Sequence, residues 1–403
     1  MNEQVSAEWQ TEFIGSFMYI TSADQLKVFC DNLQSAEILA VDTEFVRETT
    51  YFHRIGLIQV GSGEHFAAID PILLSDLTPL LELLKDPAKI KIFHAARQDL
   101  EILVRLCGQV IPPVFDTQIA AALVGWGAQI SFAKIVHKAI GKKIHKSETY
   151  TDWCRRPLSE SQIEYAIDDV RYLVPVYNKL IERLKKMNRL DWVKGEVLNW
   201  EDPETFALPD PQKRFMKIKN LRSLKPRNLT ILKELVAWRE GEAVKRNCLP
   251  KNIVRDETLL EIARKIPRDL KTISGFRGFH QRELGKSGAA ILSAIERAME
   301  TPEGDLVILP ENNGHTTTRG VEELLSAYVQ IRCEELKIEP SVLADRKQIH
   351  SFVTHFEQKL DMEEHFLFQG WRKEFIGSPM LSLLSGKVGL KIDSSGQVCL
   401  TET

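Results

Sequence analysis

The 403-residue sequence predicts a mixed α/β domain with a central sheet, followed by two small all-helical domains. Three observations carry that expectation. Apolar runs of strand length alternate with helical patterns up to about residue 159, after which strands disappear. Formal charge divides the chain into blocks: residues 1–210 hold 22 Lys/Arg against 30 Asp/Glu, residues 211–300 hold 21 against 10, and residues 301–403 hold 10 against 16. The last two blocks also resemble each other. At an offset of 90, Leu235, Trp238, Pro250, Ile253 and Leu259 fall on Leu325, Tyr328, Pro340, Leu343 and Ile349, and Gly275-Phe276-Arg277 matches Gly370-Trp371-Arg372 at an offset of 95. Core classes are kept while surface charge is not, as expected of two copies of one helical unit.

The first clear strand is ILAVDTEFV, residues 38 to 46. Alternation puts Leu39, Val41, Thr43 and Phe45 on one face and Ala40, Asp42 and Glu44 on the other. Two like charges ~7 Å apart at an effective dielectric of ~20 repel by roughly 2 kcal/mol before any desolvation cost. Either the strand ends at Asp42 and both acids sit in a wet loop, or a divalent cation lies between them. IGLIQVG and EHFAAID read as the next strands, LTPLLELLKD as a helix, IKIFHA as a strand and RQDLEILVRLCG as the helix after it. SESQIEYAIDDVRYLVPVYNKLIERLKKM opens with Ser159 and Gln162 at capping-box spacing and Leu158 and Ile163 at staple spacing, and reads as one long helix with a bend at Pro175. Two linkers, EDPETFALPDPQ and TPEGDLVILPENNGHTTTRG, coincide with the charge borders.

Composition excludes several classes. No apolar run approaches the ~18 residues needed to span a membrane, and the N-terminus lacks both a signal-peptide core and an Arg-rich transit pattern. Cysteines 30, 107, 154, 248, 333 and 399 stand apart with no CxxC pair, which suits reduced thiols in a cytoplasm. There is no HExxH, and His350, His355 and His365 read as scattered helix positions. LGKS at 284–287 mimics a phosphate loop, but the first glycine of GxxxxGK[ST] would fall on His280, so no nucleotide cofactor follows.

A metal site on Asp42 and Glu44 needs further carboxylates. Asp99 opens a helix directly after a strand, where α/β proteins place sites; its plainer reading is a first-turn acid favoured by the helix dipole. Asp169 shares a helix face with Tyr165 four residues earlier, and its plainer reading is a solvated charge. Asp168 lies ~100° around the helix and points away. Asp70 and Asp116 follow apolar runs and read as strand-end or N-cap residues. Trp153, Arg155 and Arg156, after the basic run KKIHK, suit base stacking and phosphate contact, the plainer reading being a packed Trp with solvated arginines. Lys217, Lys219 and Arg222 lie in PQKRFMKIKNLRSLKPRN, an acid-free stretch suited to a polyanion or to a solvated helix face.

Asp42-x-Glu44, Asp99 in HAARQDLEIL and Tyr165-xxx-Asp169 together resemble the three motifs of the DEDD exonucleases, in the subgroup with a tyrosine in the last motif. The match is closer still to the ribonuclease D family, which TDWCRRPLSESQIEYAIDDVRYLVPVY resembles in its approach to that motif. The paired C-terminal units are similar to HRDC domains. The resemblance covers nearly the whole chain, with no departure at the four acids or the tyrosine. It implies a ribonuclease H-like exonuclease domain at 12–205 and HRDC domains at 211–300 and 318–403. It also implies 3′→5′ hydrolysis of RNA to nucleoside 5′-monophosphates, with tRNA precursors as substrates and two divalent ions, Mg2+ or Mn2+. By resemblance, Asp42 bridges both metals, Glu44 and Asp169 complete the site of the attacking water, Asp99 holds the second metal and Tyr165 orients the water. Chemistry independently favours such a set, because hard cations on carboxylate oxygens must neutralise an anionic phosphodiester before hydroxide can attack. Exonuclease action on DNA is the alternative reading. A non-catalytic RNA-binding scaffold is opposed by the intact carboxylates, and no helicase motor accompanies the HRDC units.

Overall fold

The computed structural model describes residues 17–144, 151–277, 281–309, 318–394, 396 and 398–402. Residues 12–16 of the expected first domain, His145 and Lys146 of the basic run, His280 and part of the second linker lie outside them. The chain forms two compact units: residues 1–44, 55–206 and 314–403 make unit 1, and residues 45–54 and 207–313 make unit 2. Two of the boundaries, 206/207 and 313/314, fall in the two expected linkers, residues 45–54 join unit 2 from within the first block, and the two acidic blocks join in one unit instead of standing as separate ones.

In chain order, unit 1 begins with β1 (Phe17–Ile20), α1 (Ala23–Asn32), β2 (Ile38–Val46), β3 (Arg54–Ser62), β4 (His65–Ile69), α2 (Thr78–Lys85), β5 (Ile90–Phe93), α3 (Arg97–Cys107) and β6 (Val114–Asp116). Helices α4 (Thr117–Leu123), α5 (Phe132–Ile140), α6 (Glu160–Arg171), α7 (Leu173–Lys186) and α8 (Leu190–Val197) follow. The mixed sheet has the order β1-β4-β3-β2-β5-β6. β3 and β4 form an antiparallel pair, β1 joins β4 in parallel, and β2, β5 and β6 run parallel to one another. The alternation of β2 separates two cores. Leu39 and Val41 pack with Leu26, Leu80 and Leu100 from α1, α2 and α3. Ala40 faces the other way, with Ala120, Ala166 and Val176 from α4, α6 and α7. The expected long helix breaks at Tyr172 into α6 and α7, because the Pro175 ring excludes a continuous helix around the Arg171 carbonyl but fits a first turn.

Unit 2 is helical: α9 (Pro226–Lys245), α10 (Pro250–Ile253), α11 (Asp256–Lys265), α12 (Leu270–Ser274) and α13 (Gln281–Glu300). Leu229, Leu232, Leu235, Leu259 and Ile291 form its core, with Tyr51 packed against it. LGKS lies inside α13, so it forms no phosphate loop. Residues 211–217 and 221–223 are 3-10 turns, not the long exposed helix face that the acid-free stretch allowed.

The chain then returns to unit 1 with α14 (Thr318–Leu336), α15 (Pro340–Leu343), α16 (Arg346–Glu357), α17 (Ser378–Leu384), β7 (Val388–Ile392) and β8 (Val398–Glu402). The β7–β8 hairpin corrects the expectation that strands end near residue 159. Leu325, Tyr328, Leu343, Phe352 and Trp371 continue the core that α6 and α7 build. Trp371 stacks on Trp192 of α8 (4.1 Å, 6°), and the Arg372 guanidinium grips both carboxylate oxygens of Glu196. Buried Arg189 donates to Leu123 O and Leu336 O, each at 2.7 Å. A Cβ on Gly125, whose φ is +77°, would stand 2.2 Å from Lys337 O, so only glycine allows this approach. Among the described residues no helix is long and apolar enough to cross a membrane, and all six cysteines are free thiols.

Candidate active site

Three elements converge at the C-terminal half of β2. Asp42 and Glu44 leave the strand on the same face as Ala40. Helix α6 supplies Tyr165 and Asp169, one turn apart. Its start is set by the Ser159 cap: Ser159 Oγ accepts from Gln162 N at 3.2 Å, and Gln162 Oε1 accepts from Ser159 N at 2.7 Å. Ala166, Ile167 and Val170 bury the adjoining face of the helix, which fixes its rotation. One carboxylate oxygen each of Asp42, Glu44 and Asp169 lies within 4.8 Å of the other two.

Asp99 stands apart from that trio yet acts on it. It sits in the first turn of α3, 7 % exposed, and its Oδ1 accepts from the Thr43 hydroxyl at 2.5 Å. Thr43 is on the opposite face of β2 from Asp42 and Glu44, so one strand addresses carboxylates on both sides. The turn entering α3 holds Ala95 at φ +64°, a costly conformation for a residue with a Cβ. Asp116 stabilises it, accepting from Ala95 N (3.2 Å) and Ala96 N (2.8 Å) while capping α4 through Gln118 N (2.7 Å).

The electrostatics follow from crowding. Burial, then the charges of Asp99, Asp169 and Glu44, push the Asp42 carboxyl well above the usual carboxylate range. Burial, then Asp169 and Asp99, push Glu44 up to about 8. Burial pushes Asp99 up to about 7 against the downward pull of the Thr43 hydroxyl. None of the leading influences on Asp42 or Glu44 is a cationic side chain. An all-oxygen, multiply acidic donor set fits a hard divalent cation.

The other sequence-predicted positions separate clearly. Trp153 is 5 % exposed and packs on Tyr165 with ring centroids 6.2 Å apart, which corrects its reading as a platform for bases: it has no free face to offer. Arg156 is also corrected. Its guanidinium reaches Asp70 Oδ2 (2.5 Å), Asp70 Oδ1 (2.8 Å), Gly56 O (2.6 Å) and Trp153 O (2.8 Å), and so is committed to the fold. Burial would raise the fully buried Asp70, but Arg156 and the Tyr19 hydroxyl hold it below the usual range. Arg155 is exposed, as are Lys217, Lys219 and Arg222 of unit 2. Asp168 pairs with Arg171 at 2.9 Å, and Asp116 is the N-cap of α4. His355 and His365 do meet, with rings 5.4 Å apart, but His355 Nε2 is bonded to Asp361 O and His365 Nε2 to Ser351 Oγ. Sequence reasoning missed Thr43 and the second role of Asp116. The alternation of β2 placed Thr43 on the far face, but nothing in the sequence said that Asp99 waits there.

Comparison with known proteins adds independent findings. A 3′-5′ exonuclease family model matches residues 17–185, and an HRDC domain model matches residues 228–295. Ribonuclease D of Granulibacter bethesdensis is 35 % identical over 93 % of this chain and 94 % of its own length. Ribonuclease D of Gluconacetobacter diazotrophicus is 36 % identical over 93 % and 95 %. The crystal structure of Escherichia coli ribonuclease D, an exoribonuclease involved in structured RNA processing, superimposes with a TM-score of 0.82 at 32 % identity, covering 92 % of this chain and 99 % of that one.

Proposed function

This chain belongs to the ribonuclease D family, and we propose that the carboxylates gathered at β2, α3 and α6 are where it cuts RNA. It is a 3′→5′ exoribonuclease, hydrolysing RNA from its 3′ end. The observation that carries the site assignment is the meeting of Asp42, Glu44 and Asp169 within 4.8 Å, in a setting where burial and the neighbouring carboxylates push Asp42 and Glu44 up. Asp42, Glu44 and Asp169 would hold one divalent ion, and Asp42 with Asp99 a second. Bound there, Mg2+ or Mn2+ would neutralise the phosphodiester and acidify the attacking water.

The chain's own groups do the positioning. Tyr165 shares the Asp169 face of α6 and its ring is held by Trp153, which aims its hydroxyl to orient a water. The role proposed for that hydroxyl is alignment. Thr43 and the Asp116-braced turn fix the side chain and backbone of Asp99. We read residues 12–205 as the exonuclease domain, 211–300 as an HRDC domain and 318–403 as a second, HRDC-like domain. Arg155, Lys217, Lys219 and Arg222 are the proposed RNA contacts. Small structured RNAs, tRNA precursors among them, are the proposed substrates, in keeping with the structured-RNA role of the E. coli relative. We place the enzyme in the cytoplasm, where six free thiols persist.

The test is direct. 5′-labelled RNA and DNA strands are incubated with the protein and Mg2+ or Mn2+, with and without chelator. An RNA ladder that shrinks from the 3′ end only with metal is expected. Metal-independent cutting, or a preference for DNA, refutes the reading.

A further inference from the structure

Residues 151–158, which lead into α6, form neither helix nor strand, so side chains must set their shape. Two features bind them to the sheet. Arg156 uses all five of its guanidinium donors. Nε and Nη2 form a fork on the Asp70 carboxylate (2.5 and 2.8 Å), Nη2 also donates to Gly56 O of β3 (2.6 Å), and Nη1 turns back to Trp153 O (2.8 Å) and Arg155 O (2.9 Å). Asp70 directly follows β4 and is held in turn by the Tyr19 hydroxyl of β1 (2.5 Å) and by Ile72 N (2.9 Å). The second feature is a close approach of backbones: a Cβ on Gly56 would stand 2.4 Å from Trp153 O.

What this clamp serves is the ring of Tyr165. Helix α6 fixes the Cα–Cβ bond of Tyr165 but leaves the side-chain rotamer to its neighbours. The Trp153 ring is one of them, buried and tilted 30° to the phenol ring. Where the Trp153 ring stands follows from its backbone, which Arg156 grips at the carbonyl and Gly56 admits against β3. Arg156 also lies three residues before Ser159, the N-cap of α6, so the chain has little slack between the clamp and the helix. A line of contact thus runs from β1, β3 and β4 through one guanidinium and one indole to the phenol. Asp70, spent on Arg156 and Tyr19, stands outside the carboxylate cluster of Asp42, Glu44 and Asp169.

We infer that the Asp70–Arg156 pair is the positioning device for Tyr165, acting through Trp153 and touching neither RNA nor metal. The inference rests on the reading of Tyr165 as the group that aligns the attacking water. Arginine suits the task and lysine does not. A lysine would keep the charge beside Asp70, but its single nitrogen cannot span the Asp70 carboxylate, Gly56 O and Trp153 O as the planar fork does. Losing the bond to Trp153 O frees the indole, and a drift of about 1 Å in a positioned group is enough to cost catalysis heavily.

The test uses the full chain and a double-mutant cycle of Arg156→Lys with Tyr165→Phe, each variant being assayed at a temperature where circular dichroism shows it folded. With Mg2+ and RNA, Arg156→Lys alone is expected to lower kcat about 10-fold and to leave KM within about 2-fold. In the Tyr165→Phe background the same substitution should cost less than about 2-fold, because the hydroxyl it serves is already gone. A second readout needs neither metal nor turnover. The seven tyrosines are replaced by 3-fluorotyrosine, and the 19F resonance of residue 165 is identified by its loss in Tyr165→Phe. In chelator that resonance should shift or broaden in Arg156→Lys, although Trp153 is kept. If Arg156→Lys does not fold, Trp153→Phe enters the same kinetic cycle with the same expectation. A full loss repeated in the Tyr165→Phe background would mean that the clamp holds α6 as a whole. A rise in KM at constant kcat would make Arg156 an RNA contact, and an unmoved resonance with normal kcat would leave Tyr165 self-supporting. Each of these three outcomes overturns the inference. Failure of the functional reading looks different: wild-type protein would not shorten RNA, while the 19F resonance would still report the ring.

Discussion

Replacing Asp42 by Asn should abolish cleavage and, in the absence of metal, make the enzyme more stable. Three carboxylates with oxygens within 4.8 Å of one another are held together by the fold against their mutual repulsion. At that separation and an effective dielectric of ~20, two full charges cost about 3–4 kcal/mol. Protonation lets the cluster escape part of that cost, so the relief from removing one acid is expected to be about 1–3 kcal/mol. That corresponds to a rise of roughly 2–6 °C in the melting temperature of unit 1. The effect depends on pH with a definite sign. Glu44 is pushed up to about 8 and Asp99 up to about 7, against unfolded values of about 4. Between roughly pH 4 and 8 the folded metal-free protein binds more protons than the unfolded chain, so its stability falls as pH rises through that window. The advantage of Asp42→Asn should be largest near pH 8 and shrink towards pH 5. Excess Mg2+ reverses the order, since a ligand at a hundred times its Kd adds about 2.7 kcal/mol to the wild type alone. Scanning calorimetry in chelator and in Mg2+, at pH 8 and pH 6, reads all of this. A variant less stable than wild type in chelator at pH 8, with an undiminished Mg2+ response, would mean that these acids do not form a metal cage.

Tyr165→Phe keeps the ring against Trp153 and removes only the hydroxyl; kcat should fall of order 10²-fold with RNA affinity little changed, and normal turnover would reduce Tyr165 to a core residue. Thr43→Val removes the donor to Asp99 at nearly constant volume and should cost about 10-fold or more in turnover, whereas Thr43→Ser should stay near wild type; equal losses in both would point to packing instead. Arg372→Met strands Glu196 in a half-buried site and should destabilise unit 1 by about 2–4 kcal/mol in urea melts. Adding Glu196→Gln should recover part of that loss, and strict additivity would show that the two groups are uncoupled.

The legibility of this chain followed element length and charge. Strands β2, β3, β4 and β5 and the capped start of α6 are evident because their apolar runs and the Ser159–Gln162 pair are local signals, whereas β7 and β8, more polar and far from the others in sequence, escaped notice. β1 and β6, with four and three residues, are too short to show a period and are recruited only by their neighbours in the sheet. Asp42, Glu44 and Asp169 stood out because acids on apolar faces demand an explanation. The errors at Trp153 and Arg156 have the opposite origin. An aromatic beside arginines looks alike whether it faces solvent or core, and the partner that decides, buried Asp70, lies far away in sequence. The merging of the two acidic blocks was equally hidden, since Arg189, Glu196 and Trp192 look like ordinary surface-helix residues until the last segment covers them.

That covering segment makes the position of α6 depend on residues remote from it in sequence. Leu325, Tyr328, Phe352 and Trp371 share one core with Ala166, Ile167 and Val170 of α6, so a cavity cut among them should loosen the helix that carries Tyr165 and Asp169 without touching any acid.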